Sequence, residues 1–261
     1  MYKLNDFYAI LEKHAPIRLS ESCIEKGMYD NSGIIVKQSE NCKSALFTLD
    51  LSTEAVKKAK RLKCDVIVTH HPAIYAPIKC LSFEGDTGAL LEAIASKISV
   101  ISLHLNLDMA KNGIDYCLST ALGAKEFKIL DDFGDGEGYG REFSINAKTF
   151  AEIKALAKKN LKTNRVFTYG NLKEKVNAVA SFCGAGSGDA VKLLGALRAD
   201  LIVTSDVPHH AIKAIVEAGK KLMILPHYSA ENYGFNEYYA QIAKELNGNM
   251  QTYYFEDKRF M

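Results

Sequence analysis

Two stretches of the chain share one pattern of apolar and polar residues. In each stretch a short apolar run is followed by a turn rich in Ser, Thr or Gly, an amphipathic stretch and a second apolar run. In the first copy the apolar runs 45–49 and 65–69 predict buried strands, and the spacing over 53–63 predicts a connecting helix. Such a strand–helix–strand unit implies parallel strands in a sheet that is covered on both faces.

The two copies align without a gap over residues 45–69 and 180–204, an offset of 135, with eleven identities in 25 positions. A third apolar run follows each copy and leads into a histidine, His104 or His227, with a carboxylate four residues later, Asp108 or Glu231. Self-similarity of this kind indicates duplication. We therefore predict an α/β fold of two similar domains, each a sheet flanked by helices.

The join between the two halves is predicted near residues 131–140, because this acidic and glycine-rich stretch is typical of a loop or linker. The first domain then covers residues 1–130 and the second covers 131–231. The tail, 232–261, contains a stretch of helical spacing over 235–246 and a β-prone stretch over 251–255. We expect this tail to complete the first domain.

Composition and charge exclude several classes of protein. The chain has 33 Lys and Arg against 31 Asp and Glu, a net charge of +2, which argues against binding of nucleic acid mainly through phosphate neutralisation. No apolar run approaches the roughly 18 residues that span a membrane, and the start of the chain lacks a signal-peptide pattern. The six cysteines form no CxxC pair, which argues against a thiolate zinc site or a disulfide framework. We expect a globular protein of the cytoplasm.

The histidines concentrate at the predicted strand ends. Only His14 stands apart; the six others are His70, His71, His104, His209, His210 and His227. Ligands collect at the carboxyl ends of strands in open α/β sheets, and imidazoles with carboxylates are ligands for first-row metals. The pattern predicts a metal site.

His70 and His71 are adjacent and precede Pro72, which keeps the backbone extended. Neighbouring side chains of an extended chain diverge, so this pair suits two metal ions better than one. Asp108 and Glu231 share a face with the preceding histidine if the backbone there is helical, and a Glu can bridge two ions. The alternatives are histidines hydrogen-bonded to the backbone and acids that are merely solvated.

Three further features are open to more than one interpretation. His104 is either a ligand or a group that orients the site. His209 and His210 align with no ligand of the first copy, which favours a structural or substrate-facing role. The glycine-rich turn with Gly184, Gly186 and Gly188 either binds phosphate at a helix start or is a tight turn capped by Ser187 or Asp189.

Together these residues resemble a known family, the Nif-three-like proteins, whose bacterial members are often labelled GTP cyclohydrolase I type 2 homologues. The resemblance covers about residues 6–254. It rests on these motifs in this order: Tyr29-Asp30-Asn31-Ser32-Gly33, Thr69-His70-His71-Pro72, His104-Leu105-Asn106-Leu107-Asp108, Thr204-Ser205-Asp206 and His227-Tyr228-Ser229-Ala230-Glu231. The chain departs from the family pattern at Tyr29, where Trp is usual, at Leu105, where Thr is usual, and at Ser205 and Pro226, where Gly is usual.

The resemblance implies a dinuclear metal site between two α/β domains and assembly as a homohexamer. Its ligands would be His70, His71, Asp108, His227 and Glu231, with Glu231 bridging the two ions. Ligands of this kind suit zinc, iron or manganese.

The function expected from these residues is hydrolysis that depends on two metal ions. For GTP, water would open the imidazole ring of the purine and give formate and dihydroneopterin triphosphate, with His104 moving protons and the Gly184–Gly188 loop binding the triphosphate. The alternatives are another dinuclear hydrolase, such as a phosphoesterase, and a metal-binding interaction protein without turnover.

Overall fold

A computed structural model describes residues 1–261, apart from the side chain of Ala147. Its strands are β1 (Tyr2–Lys3), β2 (Gly33–Val36), β3 (Asn41–Cys42), β4 (Ser44–Thr48), β5 (Val66–Thr69), β6 (Ser99–Ser102), β7 (Lys128–Gly134), β8 (Glu137–Thr149), β9 (Phe167–Tyr169), β10 (Lys175–Ser181), β11 (Leu201–Thr204), β12 (Lys221–Ile224) and β13 (Gln251–Tyr254). Its α-helices are α1 (Leu4–Glu12), α2 (Ile17–Glu25), α3 (Thr53–Leu62), α4 (Gly88–Ala95), α5 (Leu105–Asp108), α6 (Ile114–Ala121), α7 (Phe150–Asn160), α8 (Ser187–Leu193), α9 (His209–Glu217) and α10 (His227–Leu246), and a 3₁₀ turn covers Lys258–Phe260.

The chain divides into two compact units. The first comprises Met1–Ala110 and Phe235–Phe260, and the second comprises Lys111–Gly234 together with Met261. The chain thus passes into the second unit after Ala110, earlier than the 131–140 stretch in which the sequence placed the join. None of the described helices combines the length and the apolar character that a membrane span requires.

The first unit contains a five-stranded sheet with the order β13-β4-β5-β6-β2. Every residue of β4, β5 and β6 is buried, which explains why these strands contain only apolar residues, Ser and Thr, because a central parallel strand has no solvent face. Helix α3 packs Val56 and Ala59 into a core with Leu46 and Ile67. Strand β13 pairs in parallel with β4 and so places the C-terminal segment in this sheet.

The second unit contains a six-stranded sheet with the order β7-β8-β10-β11-β12-β9. Strands β10, β11 and β12 are parallel, and antiparallel strands lie on either side of them. The core joins Phe182 and Ile202 of the sheet region with Ile215 of α9 and Leu222 of β12. Both units are therefore mixed α/β structures, as the repeated pattern predicts.

Residues 131–140 form a β-hairpin and not the loop or linker that the sequence suggested. They contribute to β7 and β8, which pair antiparallel. Gly134, Asp135 and Gly136 in the turn have φ of 90°, 55° and 82°. Glycine and aspartate tolerate these left-handed values better than other residues. The turn-forming composition therefore marks the tip of a hairpin. Asp131 and Asp132 lie on exposed positions of β7, Asp135 is in the turn, and Glu137 is buried at the start of β8.

The predicted repeat is confirmed as a strand–helix–strand unit in both copies, with one difference in register. Strands β5 and β11 correspond at the offset of 135. The strands before them do not, since Ala45 pairs with Val66 whereas Val179, and not Ala180, pairs with Leu201. The identities at 45/180 and 47/182 therefore do not occupy equivalent places in the two sheets.

Asp65 and Asp200, which correspond at the offset of 135, make the same kind of backbone hydrogen bonds in the two copies. The Oδ2 atom of Asp65 accepts from the backbone N–H groups of Lys43 and Ser44, at 2.7 and 3.2 Å. The Oδ2 atom of Asp200 accepts from those of Asn177 and Ala178, at 2.7 and 3.3 Å. These contacts hold the start of β4 and the middle of β10, which begins at Lys175, and they show the same displacement by one residue.

We expect Asp65→Ala and Asp200→Ala each to lower the stability of the unit that contains it by about 1–2 kcal/mol, because each leaves two backbone donors without their acceptor. Urea unfolding followed by circular dichroism measures the effect. The exposed Asp86 serves as a control, and Asp86→Ala should leave the unfolding midpoint unchanged. Loss of stability in only one of the two variants would contradict the equivalence of the two aspartates.

Candidate metal centre

Three imidazoles meet at the carboxyl ends of β5 and β6 in the first unit. His70 and His71 directly follow β5, and His104 follows β6 after one intervening residue. The ring centroids lie 4.9 Å apart for His70 and His71, 5.4 Å for His70 and His104, and 6.0 Å for His71 and His104. Adjacent parallel strands thus bring together residues that are more than thirty positions apart in sequence.

Each of these imidazoles has an acceptor at its Nδ1 atom. His70 Nδ1 lies 2.8 Å from the carbonyl oxygen of Leu103, His71 Nδ1 lies 2.6 Å from Asp50 Oδ1, and His104 Nδ1 lies 2.7 Å from Asp30 Oδ1. An acceptor at Nδ1 places the ring proton there, so the neutral ring presents the lone pair of Nε2 to a metal or a proton. A backbone partner for His70 is therefore compatible with a ligand role.

Asp30 is buried and accepts hydrogen bonds from Ser20 and from Ser32, the latter at 2.7 Å, as well as from His104. Burial by itself raises the pKa of this carboxyl, but the hydrogen bonds from His104, Ser20 and Ser32 outweigh it and hold the pKa below its ordinary value. A carboxylate held ionised in this way fixes the orientation of the His104 ring.

Asp108 joins the imidazoles through one turn of helix. Helix α5 begins directly after His104, and the N–H of Asp108 donates to the carbonyl oxygen of His104 at 2.9 Å. His70, His104 and Asp108 each offer one ligand atom, all within 4.8 Å of one another. His70 Nε2 and Asp108 Oδ1 are 3.5 Å apart. Two ligand atoms on one ion lie about 2.9–3.4 Å apart when the metal–ligand bonds are about 2.0–2.1 Å, so this group fits a metal ion.

The second unit places a histidine and a glutamate on the first turns of α10. This helix begins at His227, shortly after β12, so Glu231 lies one turn further along the same face. His227 Nε2 is 2.9 Å from Glu231 Oε2, and His227 Nδ1 is 2.6 Å from Asp206 Oδ2. The Nδ1 arrangement seen in the first unit therefore recurs here. The assignment of His71, His227 and Glu231 to one shared centre stays a prediction.

Gly184 lies directly against this pair. Its φ is +57°, and a Cβ atom there would lie 2.5 Å from Glu231 Oε1 and 3.6 Å from His227 Nε2. The preceding residue is anchored, since the N–H of Cys183 donates to Asp115 Oδ1 at 2.9 Å. A side chain at position 184 would occupy the place of the Glu231 carboxylate, so glycine is needed here for the glutamate to reach its position.

The other two glycines of this turn differ in their surroundings. A Cβ at Gly186 would meet Tyr139 and Phe182, whereas a Cβ at Gly188 would meet nothing within 4 Å. Close packing therefore explains Gly184 and Gly186 without any ligand. Binding of a triphosphate by the Gly184–Gly188 turn stays a prediction.

The remaining histidines lie elsewhere. His209 and His210 begin α9 and are exposed. Among the described residues, the groups able to hold a metal ion include neither of them. His14 Nε2 lies 2.5 Å from Glu245 Oε2, and its Nδ1 accepts from Gln241 Nε2 at 2.8 Å. His14 is thus part of a polar cluster with residues of α10.

The sequence reasoning did not assign roles to Asp30, Asp50 and Asp206, which hold three of the imidazoles. Asp50 lies two residues past the end of β4. The search for histidines at strand ends would have found this residue if it had also included aspartate and glutamate. Asp206 occupies, at the offset of 135, the position of His71. The repeat therefore carried a signal for this residue.

Two α/β units with imidazoles and carboxylates at the carboxyl ends of their parallel strands define a class of α/β proteins with groups that could bind metal. The family model described as Duf34/NIF3 (NGG1p interacting factor 3) matches residues 2–258. The chain belongs to this family, which confirms the resemblance inferred from its motifs.

Individual relatives agree with this membership. The chain is 32% identical over 237 residues to a "GTP cyclohydrolase 1 type 2 homolog" of Clostridium perfringens, covering 88% of this chain and 87% of the relative. It is 25% identical over 244 residues to "NIF3-like protein 1" of Drosophila melanogaster, covering 91% and 80%. The fold matches a crystal structure of a Bacillus cereus protein related to NIF3 with a TM-score of 0.86 at 17% identity, covering 97% and 96% of the two chains.

We expect Gly184→Ala to weaken binding of Zn²⁺ or Mn²⁺ by about 10-fold or more, the usual cost of disturbing groups around a metal site, because the new methyl group displaces the Glu231 carboxylate. The left-handed backbone adds a cost in stability of about 1–2 kcal/mol. Isothermal titration calorimetry measures the first effect and urea unfolding the second.

The matched control is Gly188→Ala in the same turn, where space is open. This variant should bind metal as the unaltered protein does. Equal metal affinity in Gly184→Ala and Gly188→Ala would show that the packing of Gly184 against Glu231 has no bearing on a metal site.

Proposed function

We propose that the protein is a hydrolase that depends on two divalent metal ions and acts on GTP. The observation that carries this proposal is the shared arrangement of His70, His71, His104 and His227. Each of these histidines has an acceptor at its Nδ1 atom. Each unit also contains one of the two buried carboxylates, Asp108 in the first and Glu231 in the second. Buried carboxylates among oriented imidazoles are costly to maintain unless a cation compensates their charge.

The ligands in this proposal are His70, His71, Asp108, His227 and Glu231, which would together hold the two ions. The donor set fits, because it consists of imidazole nitrogens and carboxylate oxygens, as preferred by zinc, iron and manganese. When bound, such ions lower the pKa of water towards neutrality. The space beside Gly184, which a Cβ atom would fill, leaves room for the Glu231 carboxylate and so supports Glu231 as a ligand.

His104 is the residue we assign to proton transfer. Asp30 accepts the Nδ1 proton of His104 at 2.7 Å, so the Nε2 atom can take a proton from water and return it to the substrate. The ionised Asp30 stabilises the imidazolium that exists between these two steps.

The proposed reaction is hydrolytic opening of the guanine imidazole ring. Water adds at C8 and the bond from C8 to one of its two ring nitrogens breaks, which leaves a formamide on the other nitrogen. A second water hydrolyses this formamide and releases formate. Rearrangement of the ribose and ring closure with loss of one water then give dihydroneopterin triphosphate. GTP as the substrate is supported by the names of the relatives in Clostridium perfringens and Lactococcus lactis, each a "GTP cyclohydrolase 1 type 2 homolog".

We also propose that the protein assembles as a homohexamer in the cytoplasm. An edge strand with exposed aromatic residues supports self-association, since β9 ends the sheet of the second unit and Phe167 is 70% exposed. Sedimentation velocity at several concentrations tests the assembly, and a monomer throughout would contradict it.

We expect Glu231→Gln to lose metal and hydrolytic activity together. The substitution keeps the size of the side chain but removes a negative charge that offsets two dications, and the imidazoles carry none. The fold should remain, because each unit has its own core. Metal analysis and circular dichroism on the purified variant, with an assay for formate and dihydroneopterin triphosphate, measure the three properties.

The control is His210→Gln, which should keep its metal because His210 is exposed on α9. If Glu231→Gln retains two ions per chain and His210→Gln loses them, the ligands are assigned to the wrong residues. Turnover of a phosphoester without release of formate from GTP would favour a phosphoesterase. Metal binding without turnover of either compound would favour an interaction protein.

A further inference from the structure

A row of aromatic rings leads away from the imidazoles of the first unit. The Tyr75 ring lies 6.1 Å from that of His104, measured between centroids, at an interplanar angle of 83°. The Tyr29 ring lies 5.6 Å from that of Tyr75 at 69°. Both contacts have the edge-to-face geometry that aromatic pairs favour. Tyr75 is therefore separated from His70 and His71 by one ring only, that of His104.

Both tyrosines face solvent although their positions are fixed. Tyr29 is 49% exposed and Tyr75 is 59% exposed. The segments that carry them are tied together, since Asn31 Nδ2 donates to the carbonyl oxygen of Ile74 at 2.8 Å. Asp30, next to Tyr29, is held by Ser20, Ser32 and His104. The two large exposed rings, nearly perpendicular to each other, offer apolar ring faces beside the candidate metal centre.

A hollow of suitable size lies beside Tyr75. Its volume is about 560 Å³, within the range of sites for small molecules. Its walls combine apolar side chains, among them Ile74, Tyr75 and Leu90, with polar ones such as Lys79 and Thr87. A planar ring can thus stack on an apolar wall while polar groups remain within reach of its edge.

We propose that Tyr75 and Tyr29 form a binding site for the planar heteroaromatic base of the substrate, with Tyr75 stacking on the base and Tyr29 supporting Tyr75. This inference rests on the proposed function, since the base is that of GTP. Stacking on Tyr75 brings the ring to be opened next to His104, the residue assigned to proton transfer. The two tyrosines determine specificity for a flat base and take no part in the chemical step.

A single-tryptophan variant tests the binding without any need for turnover. The chain contains no Trp, so Tyr29→Trp introduces one fluorophore at the proposed site. We expect guanosine to quench its fluorescence in metal-free protein, and inorganic triphosphate to cause no quenching. Quenching by triphosphate alone, or no response to guanosine, would overturn the proposal.

Substitutions at Tyr75 in the same background supply the second measurement. Tyr75→Ala should raise the Kd for guanosine about 5- to 150-fold, the range for loss of one base–aromatic stack. Tyr75→Phe should retain the affinity within about twofold, because the ring is kept. The control is Phe83→Ala, an exposed aromatic of the same loop that lies outside the walls of the hollow, and it should leave the Kd unchanged. Equal affinity in Tyr75→Ala and Phe83→Ala would overturn the proposal.

Guanosine binding and formate release, measured together, test the base site and the proposed hydrolase activity separately. Tyr75-dependent binding of guanosine by a protein that releases no formate from GTP would retain the base site and reject the hydrolase. Release of formate from GTP with the same KM in Tyr75→Ala as in the unaltered protein would retain the hydrolase and reject the base site.

Discussion

The hydrogen bond at the Nδ1 atom of each strand-end histidine determines what these residues can do. A neutral imidazole carries a single ring proton, and an acceptor at Nδ1 assigns that proton to one side of the ring. Leu103, Asp50, Asp30 and Asp206 supply these acceptors for His70, His71, His104 and His227 respectively. For His70, His71 and His104 this leaves Nε2 as a Lewis base in a fixed direction. His227 differs, because Glu231 Oε2 lies 2.9 Å from its Nε2 atom, where a proton or a metal ion is needed between the two lone pairs. Metal binding and proton transfer both need a Lewis base at Nε2, so the acceptors matter as much as the histidines.

The duplication explains how the two units reach this arrangement in different ways. In the first unit, the two positions after β5 hold imidazoles, His70 and His71. At the equivalent positions after β11 the second unit has Ser205 and Asp206, and Asp206 orients the histidine that begins α10. The same place in the repeated unit thus holds a candidate ligand in one copy and the partner of a candidate ligand in the other. Duplicated strand ends can diverge in this way because the sheet fixes only the backbone.

Much of the fold could be predicted from the sequence, since the strongest patterns come from central strands. The strands before His70 and His104 are buried and contain only apolar residues, Ser and Thr, and the strand before His227 is buried at its two central residues. The spacing of His104 and Asp108 places them on one face only if the backbone there is helical, and helix α5 meets that condition. The hairpin at 131–140 was misread because a tight turn and a linker need the same residues. The ungapped alignment could not show the displacement of β10 by one residue, because alanine and valine fit a buried strand in either pairing register. Tyr29 and Tyr75 meet only through tertiary structure, which no local pattern encodes.

The most direct test of this account is the tautomeric state of the four imidazoles. Two-bond proton–nitrogen correlation spectra of metal-free protein at about pH 8, above the usual imidazole pKa, distinguish a proton at Nδ1 from one at Nε2. The account predicts the Nδ1–H tautomer for His70, His71 and His104, and a shift of the Nε2 resonances of His70, His71 and His227 when Zn²⁺ is added. The Nε2–H tautomer at His70, His71 or His104, with spectra that Zn²⁺ leaves unchanged, would contradict it.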